Sequence, residues 1–313
     1  MSFAKTVKEE LVTIPIELEG QLAECAAFLN LNTELHIENK QKRLDFKTNN
    51  PTVAKRFLQL IRALYQADIQ LITQKQTKLK KRQTVIVSIQ SRVEDILNEH
   101  SLLENNLEAE ELLTQSPEAK KAYLRASFLS SGSMNHPKTA EYHLEIFSNN
   151  ANQIVFIQGL MNSFELNAKV TKRRNGYMAY LKDAEGISMF LQIVGAQNAL
   201  FQYEDIRIKR DFNNSINRVI NCEVANEKKT LEAARDQMND IKLIDKYVKK
   251  EQIDPKVKQI IDLRKQFPDI SLRELSDQYV VKYQETISKS GLNHRIQKIK
   301  QLASDVKKSR KLS

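Results

Sequence analysis

The chain has no tryptophan, two cysteines, seven glycines and six prolines among its 313 residues. Two cysteines, Cys25 and Cys222, are too few for a disulfide framework or a Cys-rich zinc site, which points to a reducing compartment and to thiols that pack rather than react. The five histidines are scattered without paired-ligand spacing, and no glycine-rich phosphate loop is present, so neither a metal nor another cofactor is expected. A long apolar run is also missing, and MSFAKTVKEELV reads as the opening of a polar, amphipathic helix rather than a signal peptide. A cytoplasmic protein with no membrane contact is the expectation. With 41% hydrophobic residues, the chain has enough apolar material for two cores joined by a linker.

What is present is a strongly localised charge. From Ile241 to Ser313 there are 18 Lys and Arg against 9 Asp and Glu, while the first 240 residues hold 31 against 30. Cationic charge confined to one end marks a polyanion-binding module fused to a nearly neutral body, because neutralising phosphates and releasing their counterions is what such a cluster does best. Double-stranded DNA is the expected partner, and association with the nucleoid follows.

The pattern inside the tail supports this beyond charge alone. Pro255 suits the first turn of a helix that places Val257, Ile260, Ile261 and Phe267 on one face before Pro268 stops it. Ser271 with Glu274 three residues on forms a capping box, followed by Leu272, Leu275 and Tyr279 at i, i+3 and i+7. A third helix starts at Ser288 or Ser290 and turns Leu292, Ile296, Ile299 and Leu302 inward. Three short helices sharing one apolar face make a helix-turn-helix core.

At 100° per residue, Ser290, His294, Gln297, Lys298 and Gln301 point away from that core, with Lys289 and Asn293 on the flank. Only polar side chains occupy that face. The candidate DNA-binding residues are therefore Lys289, Ser290, Asn293, His294, Arg295, Gln297, Lys298 and Lys300. Within this set Ser290, Asn293, His294 and Gln297 suit base edges, and Arg295, Lys298 and Lys300 suit phosphates. His294, with no second His or Cys nearby, is not a metal ligand.

An internal repeat at an offset of about one hundred residues organises the rest. LDFKTNN at Leu44 to Asn50 lines up with LEIFSNN at Leu144 to Asn150, and FLQLI at Phe57 to Ile61 with FIQGL at Phe156 to Leu160. Each copy then gives two alternating segments around a basic turn: Ile69 to Lys75 and Thr84 to Ile89 around KLKKR, and Ala168 to Arg174 and Tyr177 to Leu181 around Arg174, Asn175 and Gly176. A helix rich in small residues precedes each copy: QLAECAAFLNLN at Gln21 to Asn32, and KAYLRASFLSSG at Lys121 to Gly132. Two such helices can approach closely and pack against each other. Each unit reads as helix, hairpin, helix, hairpin, helix, an α+β arrangement.

Between the repeats and the tail, Ile216, Val219, Ile220 and Val224 recur at helical spacing, and Leu231, Ala234, Met238 and Ile241 continue as a second helix. This linker is expected to pack. The polar run Asn213, Asn214, Asn217, Arg218 and Asn221 is either solvated helix surface or a contact with DNA or another part of the protein.

In these features the sequence resembles the LAGLIDADG homing-endonuclease fold, and over essentially its full length it is similar to the WhiA family. The marks are MSFAKTVKEEL, YLRASFLSSGSMNHPKTAEYHLEIFS, EDIRIKRDFNNSINRVINCEVAN and SKSGLNHR, in that order. The expected architecture is a first LAGLIDADG-like repeat at 1–105, a second at 106–200, a helical linker at 201–248 and an all-α helix-turn-helix domain at 249–313. The resemblance implies roles in cell division, chromosome segregation and transcription regulation.

It also implies that the chain is not a nuclease. Endonucleases of this fold end each LAGLIDADG helix with an acidic residue that holds a divalent metal. The matching positions are Asn32 and Ser131, neither of which is anionic, and Glu34 reads as an exposed strand residue. Active relatives lay their sheets on the duplex, so the hairpin bases Lys75, Lys78, Lys80, Lys81, Arg82, Lys172, Arg173 and Arg174 are auxiliary DNA candidates; the low net charge of the repeats argues against a larger share. Two readings remain: a monomeric DNA-binding regulator, or a scaffold whose repeat domain holds a protein partner and whose tail only tethers it to the nucleoid.

Overall fold

The computed structural model describes residues 2–38, 41–75, 83–103 and 107–311. The first repeat runs α1 (Phe3–Leu11), α2 (Leu18–Asn32), β1 (Thr33–Glu38), β2 (Gln41–Thr48), α3 (Pro51–Tyr65), β3 (Ile69–Lys75), β4 (Gln83–Ile89) and α4 (Val93–Glu99). After a short α5 (Glu108–Leu113) the second follows: α6 (Pro117–Ser131), β5 (Gly132–Met134), β6 (Leu144–Ser148), α7 (Ala151–Asn162), β7 (Lys169–Arg173), β8 (Gly176–Leu181) and α8 (Ala184–Val194). Both sheets are antiparallel and share one topology, β1-β2-β4-β3 and β5-β6-β8-β7. Among the described residues there follow the α-helices α9 (Gln197–Tyr247), α10 (Pro255–Gln266), α11 (Leu272–Tyr283) and α12 (Lys289–Lys311), with a short 3-10 helix, Lys250–Gln252, between the first two.

The chain forms two compact bodies, 1–211 and 212–313, and the division falls inside α9. Among the described residues, no helix is long and apolar enough to cross a membrane.

The repeated Thr/Ser-Asn-Asn motif has a local physical purpose. The Thr48 and Ser148 hydroxyls accept from the N–H groups of Asn50 and Asn150 at 3.2 and 3.1 Å. The two asparagine side chains then cap α3 and α7, accepting from Thr52 N at 3.0 Å and Asn152 N at 2.9 Å. The same pair of interactions thus turns strand into helix in both copies. The second hairpin closes through Arg174 and Asn175, with Arg173 paired to Gly176. Gly176 has φ of 155°, and a Cβ there would sit 2.5 Å from the Ser148 carbonyl oxygen, so only glycine fits.

The two small-residue helices, α2 and α6, make the most extensive helix–helix contact among the described residues. Ala23, Ala26, Ala27, Ala119, Ala122 and Ala126 are all buried, which is what lets the two backbones come close. One charge is closed inside this region. Glu24, fully buried on α2, accepts from Arg56 on α3 (Nε to Oε2, 2.9 Å) and from Arg125 on α6 (Nη1 to Oε1, 3.1 Å). Arg125 also donates to the Val194 carbonyl at 2.8 Å, joining α6 to the end of α8. A buried carboxylate requires such partners, since desolvation costs several kcal/mol per ion.

Phe3, Val7 and Leu11 bury one face of α1, as its amphipathic sequence predicts. Its Glu10 carboxylate accepts from the N–H groups of Asn198 and Ala199 at 2.7 and 2.8 Å, satisfying the N-terminus of α9 and complementing its dipole.

The linker differs from expectation. Residues 201–247 lie within one continuous 51-residue helix, and Ile216, Val219, Ile220 and Val224 are exposed rather than packed. The core of the second body reaches only the last turns of α9, where Ala234, Ile241 and Ile244 are buried and Met238 packs alongside. Asn213, Asn214, Asn217, Arg218 and Asn221 are exposed on the same helix. Cys25 is buried and burial raises its thiol pKa, keeping it inert; Cys222 is exposed on α9, unlike the packed thiol expected.

Replacing Glu24 by Leu strands the buried Arg125 and the partly buried Arg56 guanidinium groups and should cost about 3–5 kcal/mol. Urea denaturation followed by circular dichroism measures this; adding Arg125→Met to the same variant should recover part of the loss, and no recovery would separate Arg125 from the Glu24 effect.

Candidate nucleic-acid interface

The tail folds as its apolar spacing predicts. Val257, Ile260 and Ile261 of α10, Leu275 and Tyr279 of α11, and Leu292, Ile296 and Ile299 of α12 are buried together, with Phe267, Leu272 and Leu302 packed alongside. The capping box at the start of α11 is complete: the Ser271 Oγ accepts from Glu274 N at 3.2 Å, and the Glu274 carboxylate accepts from Ser271 N at 2.8 Å. That hydrogen bond holds the Glu274 carboxyl below the usual carboxylate range.

Three polar devices that apolar periodicity does not reveal set the angles between these helices. Tyr279, fully buried, donates its hydroxyl to Gln259 Oε1 of α10 at 2.8 Å and accepts from Arg295 Nη1 of α12 at 3.0 Å, so one phenol ties all three helices. Arg264, 1% exposed, donates to the Ile270 carbonyl at 2.6 Å and fastens the turn between α10 and α11. Ser276 donates to the Ile287 carbonyl at 3.0 Å and fixes the turn before α12. The only sequence signal for these is a polar residue at a core-facing position.

On α12, Lys289, Ser290, Asn293, His294, Gln297, Lys298 and Lys300 are exposed, and Gln301 extends the stripe. The structure thus brings seven of the eight tail candidates to the solvent side. Arg295 departs from expectation. It is half-buried, its guanidinium stacks 5.2 Å from the Tyr279 ring centroid, and its Nη1 is committed to the Tyr279 hydroxyl. The helical angle places it beside the core rather than opposite, so its first task is packing. Lys298 lies 3.7 Å from Asp254, the N-cap of α10, while Lys289 and Lys300 form no ion pair among the described residues. Lys265 and Lys307 are neutralised by Asp245 and Asp240.

In the body, Lys172, Arg173 and Arg174 are exposed on the second hairpin, but Arg173 is paired with Glu145 at 3.0 Å, which weakens its claim on a phosphate. Lys78, Lys80, Lys81 and Arg82 lie outside the described residues, as does the side chain of Lys75.

At the helix ends facing the repeat contact, Asn32 donates through Nδ2 to the carbonyls of Lys47 and Ser130, both at 3.2 Å. An ionised carboxylate is acceptor-only and cannot make these bonds. Glu34, exposed on β1, is engaged by Lys47 and lies 3.6 Å from His36. Among the described residues, no group of three His, Cys, Asp or Glu side chains could hold a metal.

These features define a class: two LAGLIDADG-like α+β domains followed by a helix-turn-helix domain. Family models match as the WhiA N-terminal LAGLIDADG-like domain over residues 19–103, the WhiA LAGLIDADG-like domain over 120–213 and the WhiA C-terminal HTH domain over 216–303. Similar relatives include a probable cell division protein WhiA of Lactobacillus gasseri, 43% identical over 98% of this chain and 99% of its own, and one of Oceanobacillus iheyensis, 40% identical over the whole of both. A Staphylococcus aureus relative of the same name is 39% identical over 98% of each. The full-length DUF199/WhiA crystal structure from Thermatoga maritima shares the fold, with TM-score 0.60 and 23% identity over 97% of this chain and 99% of that one. The chain belongs to the WhiA family.

Tyr279→Phe removes the hydroxyl that joins three helices and leaves Gln259 and Arg295 without their shared partner. A loss of about 1–3 kcal/mol is expected in thermal or urea unfolding of the full chain; an unchanged midpoint would show that water replaces the hydroxyl at no cost.

Proposed function

We propose that the protein is a DNA-binding regulator of cell division in which α12 enters the major groove, and that it does so without nuclease activity. The observation that carries this reading is the stripe of exposed donors and acceptors on α12, set opposite a closed apolar core at one end of an otherwise nearly neutral chain. Ser290, Asn293, His294 and Gln297 read base edges, and Lys289, Lys298 and Lys300 hold phosphates. Arg295 contributes mainly by holding Tyr279, with its exposed part near the backbone. The names of the relatives support the division role. Control of transcription and effects on chromosome segregation follow from a protein that occupies chosen sites on the nucleoid. The replacement of paired carboxylates by Asn32 and Ser131 supports the absence of metal-dependent cleavage. Lys172 and Arg174 are auxiliary contacts. The protein binds as a cytoplasmic monomer.

A second reading is favoured by one feature, the exposed apolar face of α9 at Phe212, Ile216, Val219, Ile220 and Val224, which suits a protein partner more than a nucleic acid. On that reading the tail is a tether and the protein a scaffold.

Binding-site selection from random duplexes, followed by titration of variants on the selected site and on random DNA at two salt concentrations, separates them. Ala at Asn293, His294 or Gln297 should cost about 1–3 kcal/mol on the selected site and little on random DNA. Ala at Lys289 or Lys300 should weaken both and flatten the salt dependence. Equal losses on both duplexes for the first group would favour the scaffold.

A further inference from the structure

Where the degenerate helix end at Asn32 meets α1, the body has an open pocket of about 570 Å³. Three lysines, Lys5, Lys8 and Lys47, line it together with Asn32 and Ser130, and no Asp or Glu does. Two helices open onto it at their N-termini: α1, whose N-cap Ser2 contributes to the wall, and α3, through Asn50 and Pro51. Helix N-termini carry partial positive charge and favour anions. The position that holds cations in metal-dependent relatives of this fold thus has the opposite electrostatic sign here.

One cation in the wall lacks an anionic partner among the described residues. Lys5 is 3.6 Å from Glu9 and Lys47 is bonded to Glu34, but Lys8 forms no ion pair among the described residues and only overlies the Phe128 ring at 5.5 Å. Burial with no compensating carboxylate lowers the Lys8 ammonium to about 8. A cation with no compensating carboxylate, in a pocket lined by two further lysines, favours an anionic ligand.

We propose that this pocket is an anion site for a phosphate group, with Lys8 as its principal cation and Lys5 and Lys47 adding charge. The volume exceeds what an isolated phosphate fills, so the group belongs to a larger molecule: a free phosphorylated compound, or the backbone of a DNA duplex lying along the body. This function is separate from base reading by α12 and survives if that reading fails.

The probe is pyrophosphate, titrated into the full chain at constant ionic strength against a chloride control, with melting temperature and calorimetry as readouts. Specific stabilisation of the wild type is expected, with affinity at least tenfold weaker in Lys8→Met and several-fold weaker in Lys5→Gln. The latter side chain is exposed, so its loss leaves the fold intact should Lys8→Met prove unstable. A parallel titration with random duplex distinguishes the sources. A salt slope lowered by about one in the lysine variants assigns the phosphate to DNA, while an unchanged slope beside specific pyrophosphate binding assigns it to a free molecule. Pyrophosphate no better than chloride, together with duplex binding of normal slope in both variants, would overturn the site.

Discussion

The geometry of the body depends on a carboxylate that has no access to water. Glu24 sits at the α2–α6 contact and is shared by arginines from both repeats, Arg56 and Arg125. Alanine faces allow the two helices to approach at many registers, because small side chains discriminate little between neighbouring alignments. The buried charge discriminates strongly, since a shifted register would separate Arg125 from Glu24 and leave a buried guanidinium without its carboxylate. Through Arg125 and the Val194 carbonyl the same constraint reaches the end of α8, one residue before the Gly195 turn and shortly before α9 begins. The helix ends that meet below it are therefore held in fixed positions, and there Asn32 bonds across to Ser130.

The second body solves a similar problem with a neutral hub. A three-helix core of this size offers few apolar layers, and Tyr279 adds direction by engaging Gln259 and Arg295 at once. Once those angles are fixed, the outer face of α12 is a rigid row of donors and acceptors. Rigidity matters for base reading, because bidentate contacts lose their discrimination when the helix can rock. The body and the tail thus use buried polar groups for orientation and leave most apolar contacts to supply stability.

Much of this was readable beforehand, and the reasons differ by element. The repeat was visible because the Thr/Ser-Asn-Asn turn needs the same side chains in both copies. The tail helices were visible because the capping box and the i, i+3, i+4 apolar spacing both report local geometry. Arg264, Glu24 and the Tyr279–Arg295 pair were not: their partners lie 6, 32, 101 and 16 residues away, and a charged residue in a string looks the same whether solvated or buried. The exposed stripe from Ile216 to Val224 misled for a related reason, since periodicity shows that a face is apolar but not that another element covers it.

On the proposed function, DNA reading resides in the second body, whose boundary falls at residue 212 rather than at the start of the helix-turn-helix proper, because α9 supplies Ile241 and Ile244 to that core. The direct measurement is duplex binding by the full chain and by fragments 1–211 and 212–313, each shown folded by circular dichroism, at two salt concentrations. Fragment 212–313 is expected to keep the sequence preference and most of the salt dependence of the full chain, while 1–211 binds weakly and without preference. Sequence-selective binding by 1–211, with 212–313 folded but indifferent to sequence, would contradict it.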